Sequence, residues 1–289
     1  MFYSPLRYPG GKGKLASFME LMIEKLDLNG GTYIEPFAGG AGIALDLLFN
    51  DKVGHIVIND YDKAIYSFWK AVLTDNSRFV DRIMQTPVTI DEWYKQKEIL
   101  QNADRYSFDL GFAAFFLNRT NRSGIINGGP IGGKGQAGTW KVDARFNRTT
   151  LADRIVAIGK RRKDISVYNK DVNSLVVNYI PKYGDKTMIY FDPPYFAKGK
   201  ELYMNYFNLD DHERIEKLIR EEVGCHWMIT YDNHPEIVRI YEEYEVKHYD
   251  LNYSVADKRV ASEIIIFPNS DIWPTQKEME EKKISINLR

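Results

Sequence analysis

The stretch Thr32-Tyr33-Ile34-Glu35-Pro36-Phe37-Ala38-Gly39-Gly40-Ala41-Gly42 decides how this chain folds. Its first four residues have the β-branched and aromatic character of a short strand. Pro36 cannot extend a central strand. Three glycines then sit where a strand turns into a helix, and their missing Cβ atoms let a ligand approach the backbone. The apolar run Ile43 to Leu48 reads as that helix. A second strand, His55-Ile56-Val57-Ile58, ends at Asn59-Asp60. Strand, glycine turn, helix and strand within ~30 residues is the size of one βαβ unit.

The same alternation continues outward. Upstream, Tyr8-Pro9-Gly10-Gly11-Lys12-Gly13-Lys14 is turn-rich, and Leu15 to Leu26 has apolar residues at helical spacing. Residues 62–117 read as helical, anchored by Trp69, Trp93, Phe112, Phe115 and Phe116. Seven of the fifteen residues from Gly124 to Gly138 are glycine, which predicts a mobile loop outside the core. Further strands are predicted at 165–168, 187–191, 227–230 and 263–267. A helix is predicted over 210–222, with Asp210 as N-cap and Glu213 three residues on. The tail after Pro268 is polar and is expected to be peripheral. Strands alternating with helices predict a doubly wound parallel α/β sheet.

Composition bounds the function. The 289 residues carry 39 Lys+Arg against 40 Asp+Glu, and 44% are hydrophobic. That is globular, which excludes wholesale disorder and a uniformly basic nucleic-acid binder. Cys225 is the single cysteine, so no internal disulfide forms, which suits a reducing compartment. It lies in an apolar run and is expected to pack as a small hydrophobe. No run approaches the ~20 apolar residues of a membrane span, and the N-terminus lacks a signal-peptide pattern. A soluble, cytoplasmic protein is expected. The histidines at 55, 212, 226, 234 and 248 have no metal-ligand spacing with Cys225, so no metal is expected.

Ligands of doubly wound sheets bind beyond the carboxyl ends of the strands. Glu35, Asp60, Asp171, Asp192 and Asp232 lie at or just past such ends. Asp is also a common turn residue; five together beside a glycine turn favour a site for a hydroxylated or cationic ligand. Asp60 follows Gly42 by eighteen residues, close to the ~20-residue offset of an acid that binds ribose hydroxyls. Leu45 occupies the third glycine position of the dinucleotide fingerprint, which argues against ordinary dinucleotide binding. Leu15 stands where a phosphate loop needs Ser or Thr, and no strand precedes Gly10, so an ATPase is also disfavoured.

The most informative motif is Tyr190-Phe191-Asp192-Pro193-Pro194-Tyr195-Phe196. A strand runs into an acid, and two prolines stiffen the backbone just past it. The Asp192 carboxylate and the Pro193 carbonyl then form neighbouring acceptors suited to an exocyclic amino group, which has two N–H donors. Tyr195 offers a stacking face for a flat base. A purely structural turn is the alternative.

From Tyr8 to about Phe267 the chain resembles the Dam-type DNA adenine N6-methyltransferases. The resemblance rests on five elements in the family's order: residues 8–12, 35–42, Asn59-Asp60, residues 118–124 and Asp192-Pro193-Pro194-Tyr195. Relatives often carry Trp where Tyr8 stands. It implies a class I methyltransferase (Rossmann-like) doubly wound α/β sheet with an inserted, mainly helical target-recognition subdomain. Residues 1–64 and 151–270 would bind S-adenosylmethionine and carry out catalysis; 65–150 would recognise DNA; 271–289 would be a tail. Tyr8, Lys12, Glu35, Phe37, Gly39, Gly40, Gly42, Asp60, Asp171 and Asp192 would line the cofactor pocket. Asp192, Pro193 and Tyr195 would hold the target adenine. The substrate would be double-stranded DNA with the base flipped out; restriction–modification is one setting for it, and the sequence leaves the oligomeric state open between a monomer and a weak dimer. Rivals are transfer to cytosine N4, RNA or protein, and a non-catalytic DNA-binding module.

Charge is segregated. Residues 118–170 hold twelve basic residues against three acids, a net +9, leaving about −10 elsewhere. Spaced cations on a glycine-rich loop suit a phosphate backbone. Asn118, Arg119, Arg122, Lys134 and Arg145 are the candidate DNA-binding residues.

Overall fold

The computed structural model describes residues 3–7, 15–196, 207–252, 260–284, 286 and 288–289. In chain order the elements are α1 (Leu15–Lys25), β1 (Thr32–Glu35), α2 (Gly42–Phe49), β2 (His55–Asn59), α3 (Lys63–Thr74), α4 (Asn76–Gln85), α5 (Ile90–Asn102), α6 (Phe108–Thr120), α7 (Arg148–Lys160), β3 (Ile165–Tyr168), α8 (Val172–Asn178), β4 (Thr187–Phe191), α9 (Leu209–Glu222), β5 (His226–Asp232), α10 (Pro235–Ile240), β6 (Glu245–Asn252), β7 (Val260–Phe267) and α11 (Gln276–Glu281). They fall into two compact units. One holds residues 15–59 and 170–289, the other residues 3–7 and 60–169.

Among the described residues, the first unit carries six strands in the order β2-β1-β4-β5-β7-β6. β2, β1, β4 and β5 run parallel. β7 then pairs antiparallel to β5, and β6 antiparallel to β7. The doubly wound sheet is as expected, with an antiparallel pair added at one side. Sequence reading did not assign β6, and it assigned only the end of β7.

Register decides what the sheet presents. Directly paired residues point to one face, and alternate residues along a strand share it. Tyr33 pairs with Met188, Tyr190 with Met228, Asp232 with Glu263, and Glu263 with Tyr249. So Tyr33, Glu35, Tyr190, Thr230, Asp232, Glu263 and Tyr249 occupy one face. Ile34, Ile189, Phe191, Ile229, Ile264 and Ile266 occupy the other, all buried. One face is hydrocarbon; the other is polar toward the carboxyl ends of the parallel strands.

Two details of this unit differ from expectation. Asn208, not Asp210, is the N-cap of α9: its side chain accepts from the Asp211 amide, and the Asp211 side chain accepts from the Asn208 amide, closing a capping box. Asn is among the strongest N-cap residues, whereas Asp210 sits within the first turn. The tail is anchored rather than peripheral. Thr275 and Glu278 form a capping box on α11. Lys25 reaches Glu278 at 2.9 Å, Lys282 reaches Glu24 at 2.6 Å, and Arg289 exchanges backbone hydrogen bonds with His248 of β6. Met279 and Ile286 supply the buried apolar contacts.

The second unit is helical around stacked aromatics. Phe68 and Phe115 stack at 5.9 Å, and Phe79 meets both of them and Phe112 within 5.7 Å. Such rings bury roughly 150–250 Å² each. Gly111 lets α6 close on α3: a Cβ there would stand 2.4 Å from the Ser67 carbonyl oxygen. The boundaries of this unit, 60 and 169, lie outside the expected 65 and 150, because α7 packs on α3 and α4. The glycine-rich segment is pinned rather than free of the core. Gln136 bonds to the Ile131 and Gly133 carbonyls and to the Val142 amide. Val142 and Phe146 are buried, with Phe146 5.6 Å from Phe115.

Candidate active site and nucleic-acid interface

The glycine turn begins at a buried acid. Glu35 ends β1, 5% exposed, and its Oε1 accepts from the Ala44 amide at 3.1 Å. It thereby caps α2, whose N-cap residue Ala41 offers no side chain to do so. Burial pushes the Glu35 carboxyl up to about 8; the Ala44 hydrogen bond opposes this, and nearby Asp192 adds to it. Gly39 and Ala41 both have positive φ, so the turn uses backbone conformations that favour glycine. A Cβ placed on Gly42 would meet nothing within 4 Å. That open backbone at a helix start is a cradle fit for a nucleoside-type cofactor. Phe37, partly exposed beside it, packs edge-on against Phe207 at 5.8 Å.

Asp192 follows β4 directly. Phe191 pairs with Ile229, so Thr230 stands opposite Asp192 in the extended register. The Thr230 hydroxyl donates to Asp192 Oδ1 at 3.1 Å, and it lies 2.7 Å from the Tyr190 hydroxyl. With the Thr230 proton committed to Asp192, Tyr190 is the donor to Thr230. A buried chain Tyr190→Thr230→Asp192 results, and each bond polarises the next. The Phe196 amide donates to Asp232 Oδ1 at 2.9 Å, closing the loop that contains Pro193 and Tyr195. Tyr195 is largely buried, and its hydroxyl donates to Glu263 Oε1 at 2.7 Å. Sequence reading missed Glu263, Thr230 and Tyr249. The alternation of β6 was the signal for Tyr249; nothing local marked the other two.

The remaining cofactor candidates are placed as follows. Asp60 immediately follows β2 and accepts from the Asp62 amide at 2.9 Å. Asp171 is exposed, and its carboxylate is the N-cap of α8, accepting from Ser174. Tyr8 and Lys12 lie outside the described residues. Asn59, beside Asp60 in sequence, is a buried strut: its amide nitrogen donates to the Pro36 and Lys170 carbonyls. His212 is buried, its Nδ1 3.1 Å from the Tyr231 hydroxyl, and burial lowers it to about 4. Burial raises the Cys225 thiol to about 11, away from thiolate chemistry.

In the helical unit the basic candidates separate. Asn118 was expected to touch DNA but is fully buried. Its Oδ1 accepts from the Arg7 amide, and its Nδ2 donates to the Arg7 and Gly124 carbonyls, at 2.7–2.8 Å. Every polar atom of the side chain is therefore spent on holding backbone. Gly124 is required at that junction: it has φ +78°, and a Cβ would lie 2.3 Å from the Arg7 carbonyl oxygen. Asn121 is a second buried hub, accepting from Trp93 Nε1 at 2.6 Å. Arg119 is half-buried and donates through Nε to the Arg145 carbonyl at 2.8 Å. Burial lowers it to about 10, aided by the like charges of Arg7, Arg154 and Arg145. Arg122, Lys134 and Arg145 are exposed. So is Trp140, at 70%, which sequence reading did not single out.

The doubly wound sheet, the glycine turn after β1 and the acid just past β4 define a class I methyltransferase. Residues 8–255 match the D12 class N6 adenine-specific DNA methyltransferases. The chain belongs to that family and is an adenine-specific DNA methyltransferase that uses S-adenosylmethionine. It is similar to the type II methyltransferase M.MjaIII of Methanocaldococcus jannaschii, 25% identical over 268 residues, covering 84% of this chain and 89% of that protein. Among solved structures, the rRNA methyltransferase aviRa of Streptomyces viridochromogenes aligns with 12% identity and a TM-score of 0.42, covering 91% of this chain and 87% of that one. TrmK of M. capricolum, in complex with S-adenosylhomocysteine, aligns with 9% identity and a TM-score of 0.38, covering 91% and 74%. Among the described residues no helix is long and apolar enough to cross a membrane.

Proposed function

We propose that this enzyme is of the Dam type and flips its target adenine out of double-stranded DNA to methylate N6 at the Asp192–Tyr195 loop. The observation that carries the reading is the Asp192 carboxylate, oriented by Thr230 at the carboxyl end of β4. Asp192 and the Pro193 carbonyl accept from the two N–H groups of the adenine amine. This draws the nitrogen out of conjugation and stabilises the positive charge that develops on it. When bound, S-adenosylmethionine supplies a methyl group already activated by its sulfonium charge. The residues that would hold it are the Glu35 to Gly42 turn, with Phe37, Gly39 and Gly40, together with Tyr8, Lys12 toward its carboxylate, Asp60 toward the ribose hydroxyls and Asp171 toward its adenine. Tyr195 holds the flipped base, and much of the remaining rate comes from alignment.

Arg119, Arg122, Lys134 and Arg145 contact DNA, and Trp140 offers a stacking face. Asn118 serves this surface indirectly, by fixing the backbone of residues 7 and 124. The likeness to a type II methyltransferase supports a partnership with a restriction nuclease. Substituting 2-aminopurine for the target adenine tests flipping. Fluorescence should rise on binding, because the unstacked base is no longer quenched; no rise at saturating enzyme would contradict it.

A further inference from the structure

Glu263 is 2% exposed on β7, between β5 and β6, where an apolar residue would pack at lower cost. Its two carboxylate oxygens accept from two different tyrosines: Oε1 from Tyr195, at 2.7 Å, and Oε2 from Tyr249. Two hydroxyl donors suit a carboxylate, which accepts on both oxygens. The two tyrosines differ in kind. Tyr249 is the direct cross-strand partner of Glu263 in the β6–β7 ladder, fully buried and fixed in register by that pairing. Tyr195 sits on the loop after β4, just past two prolines. The carboxylate therefore ties a loop side chain to the sheet.

We propose that Glu263 is a positioning residue for methyl transfer, fixing the Tyr195 ring where it meets the target base. This rests on the reading that Tyr195 holds that base. A site whose groups are set by a supporting shell loses rate when the support is removed, even where binding survives. The cross-strand Tyr249 keeps the Glu263 carboxylate in place, so Glu263 acts on the reaction through Tyr195 and touches neither base nor cofactor itself. An isoleucine at this position would suit the sheet but would leave both tyrosine hydroxyls without a partner; the carboxylate accepts from both.

The test is a double-mutant cycle in the full-length enzyme on unmethylated plasmid DNA, with rates normalised to active sites. Glu263→Ala and Tyr195→Phe should each lower kcat about tenfold, with KM for S-adenosylmethionine unchanged within about twofold. The double variant should be no slower than the slower single, because both changes remove one interaction. Glu263→Gln should recover kcat to within about threefold, since its amide can still bond to both hydroxyls. Should Glu263→Ala fail to fold, Glu263→Leu and Glu263→Gln complete the cycle. Multiplicative losses in the double variant, or a Glu263 effect confined to thermal stability, would overturn the proposal. Tyr195→Ala separates it from the reading beneath it. Unchanged kcat there would overturn the base-holding role of Tyr195, whereas a loss there with Glu263 variants unaffected would overturn the role of Glu263 alone.

Discussion

Thr230 on β5 donates to Oδ1 of Asp192, just past the end of β4, at 3.1 Å, while its hydroxyl lies 2.7 Å from that of Tyr190. The carboxylate is thus aimed by a side chain from the neighbouring strand. Thr230→Val keeps the shape and removes the hydroxyl. The lost hydrogen bond to a charged group is worth about 1.5–3 kcal/mol, so kcat should fall roughly tenfold to a hundredfold. KM for DNA should hold steady in steady-state assays. An unaltered kcat would mean that Asp192 is oriented by its own loop.

Glu35 makes stability depend on pH. Its folded value of about 8 lies above its ordinary carboxylate value of 4.5. Between those values the folded state binds more protons than the unfolded state, so stability falls as pH rises through that window and levels off above about 8. The span corresponds to an effect on the order of 3–5 kcal/mol. Glu35→Gln keeps an acceptor for the Ala44 amide and removes the titration. Thermal melts from pH 5 to 8.5 should show the wild type losing stability relative to Glu35→Gln as pH rises. Parallel curves would contradict the burial of an ionisable Glu35.

Asn118→Ala distinguishes a clamp from a DNA contact. Loss of three hydrogen bonds made by a buried side chain should cost about 2–4 kcal/mol, a fall in Tm of roughly 5–10 °C. The salt slope of DNA binding should stay as it was, since no phosphate contact is lost. A reduced slope with unchanged Tm would place Asn118 on the DNA.

The exposed cations should behave oppositely. DNA affinity should fall steeply with salt, and Arg122→Ala or Lys134→Ala should each lower the log–log slope by about 0.9 if that side chain neutralises one phosphate. Fluorescence anisotropy between low and moderate salt measures this. A salt response that is flat in the wild type would remove the role given to the +9 segment.

Local signals carried most of the fold. The 32–42 turn located β1 and α2, and Asp192-Pro193-Pro194 located the end of β4, because both are encoded by contiguous residues whose backbone freedom is special. What local reading lacked was partnership. Asn118 looked like a DNA contact because it neighbours Arg119, yet its amide matches the backbone of Arg7, 111 residues away. Glu263 looked like one residue of an apolar strand; its meaning lies in hydroxyls from β6 and the β4 loop. The capping box Thr275-x-x-Glu278 was legible and shows why the polar tail is held.

The role proposed for Asp192 is to activate the amine of a target adenine. It is tested most directly by incubating unmethylated DNA with radiolabelled S-adenosylmethionine and either wild-type enzyme or Asp192→Ala, then separating the nucleosides after digestion. Label is expected in N6-methyladenine with the wild type and none with Asp192→Ala, which should still bind DNA within a few-fold of wild type. Label in methylcytosine, or undiminished methyladenine from Asp192→Ala, would contradict it.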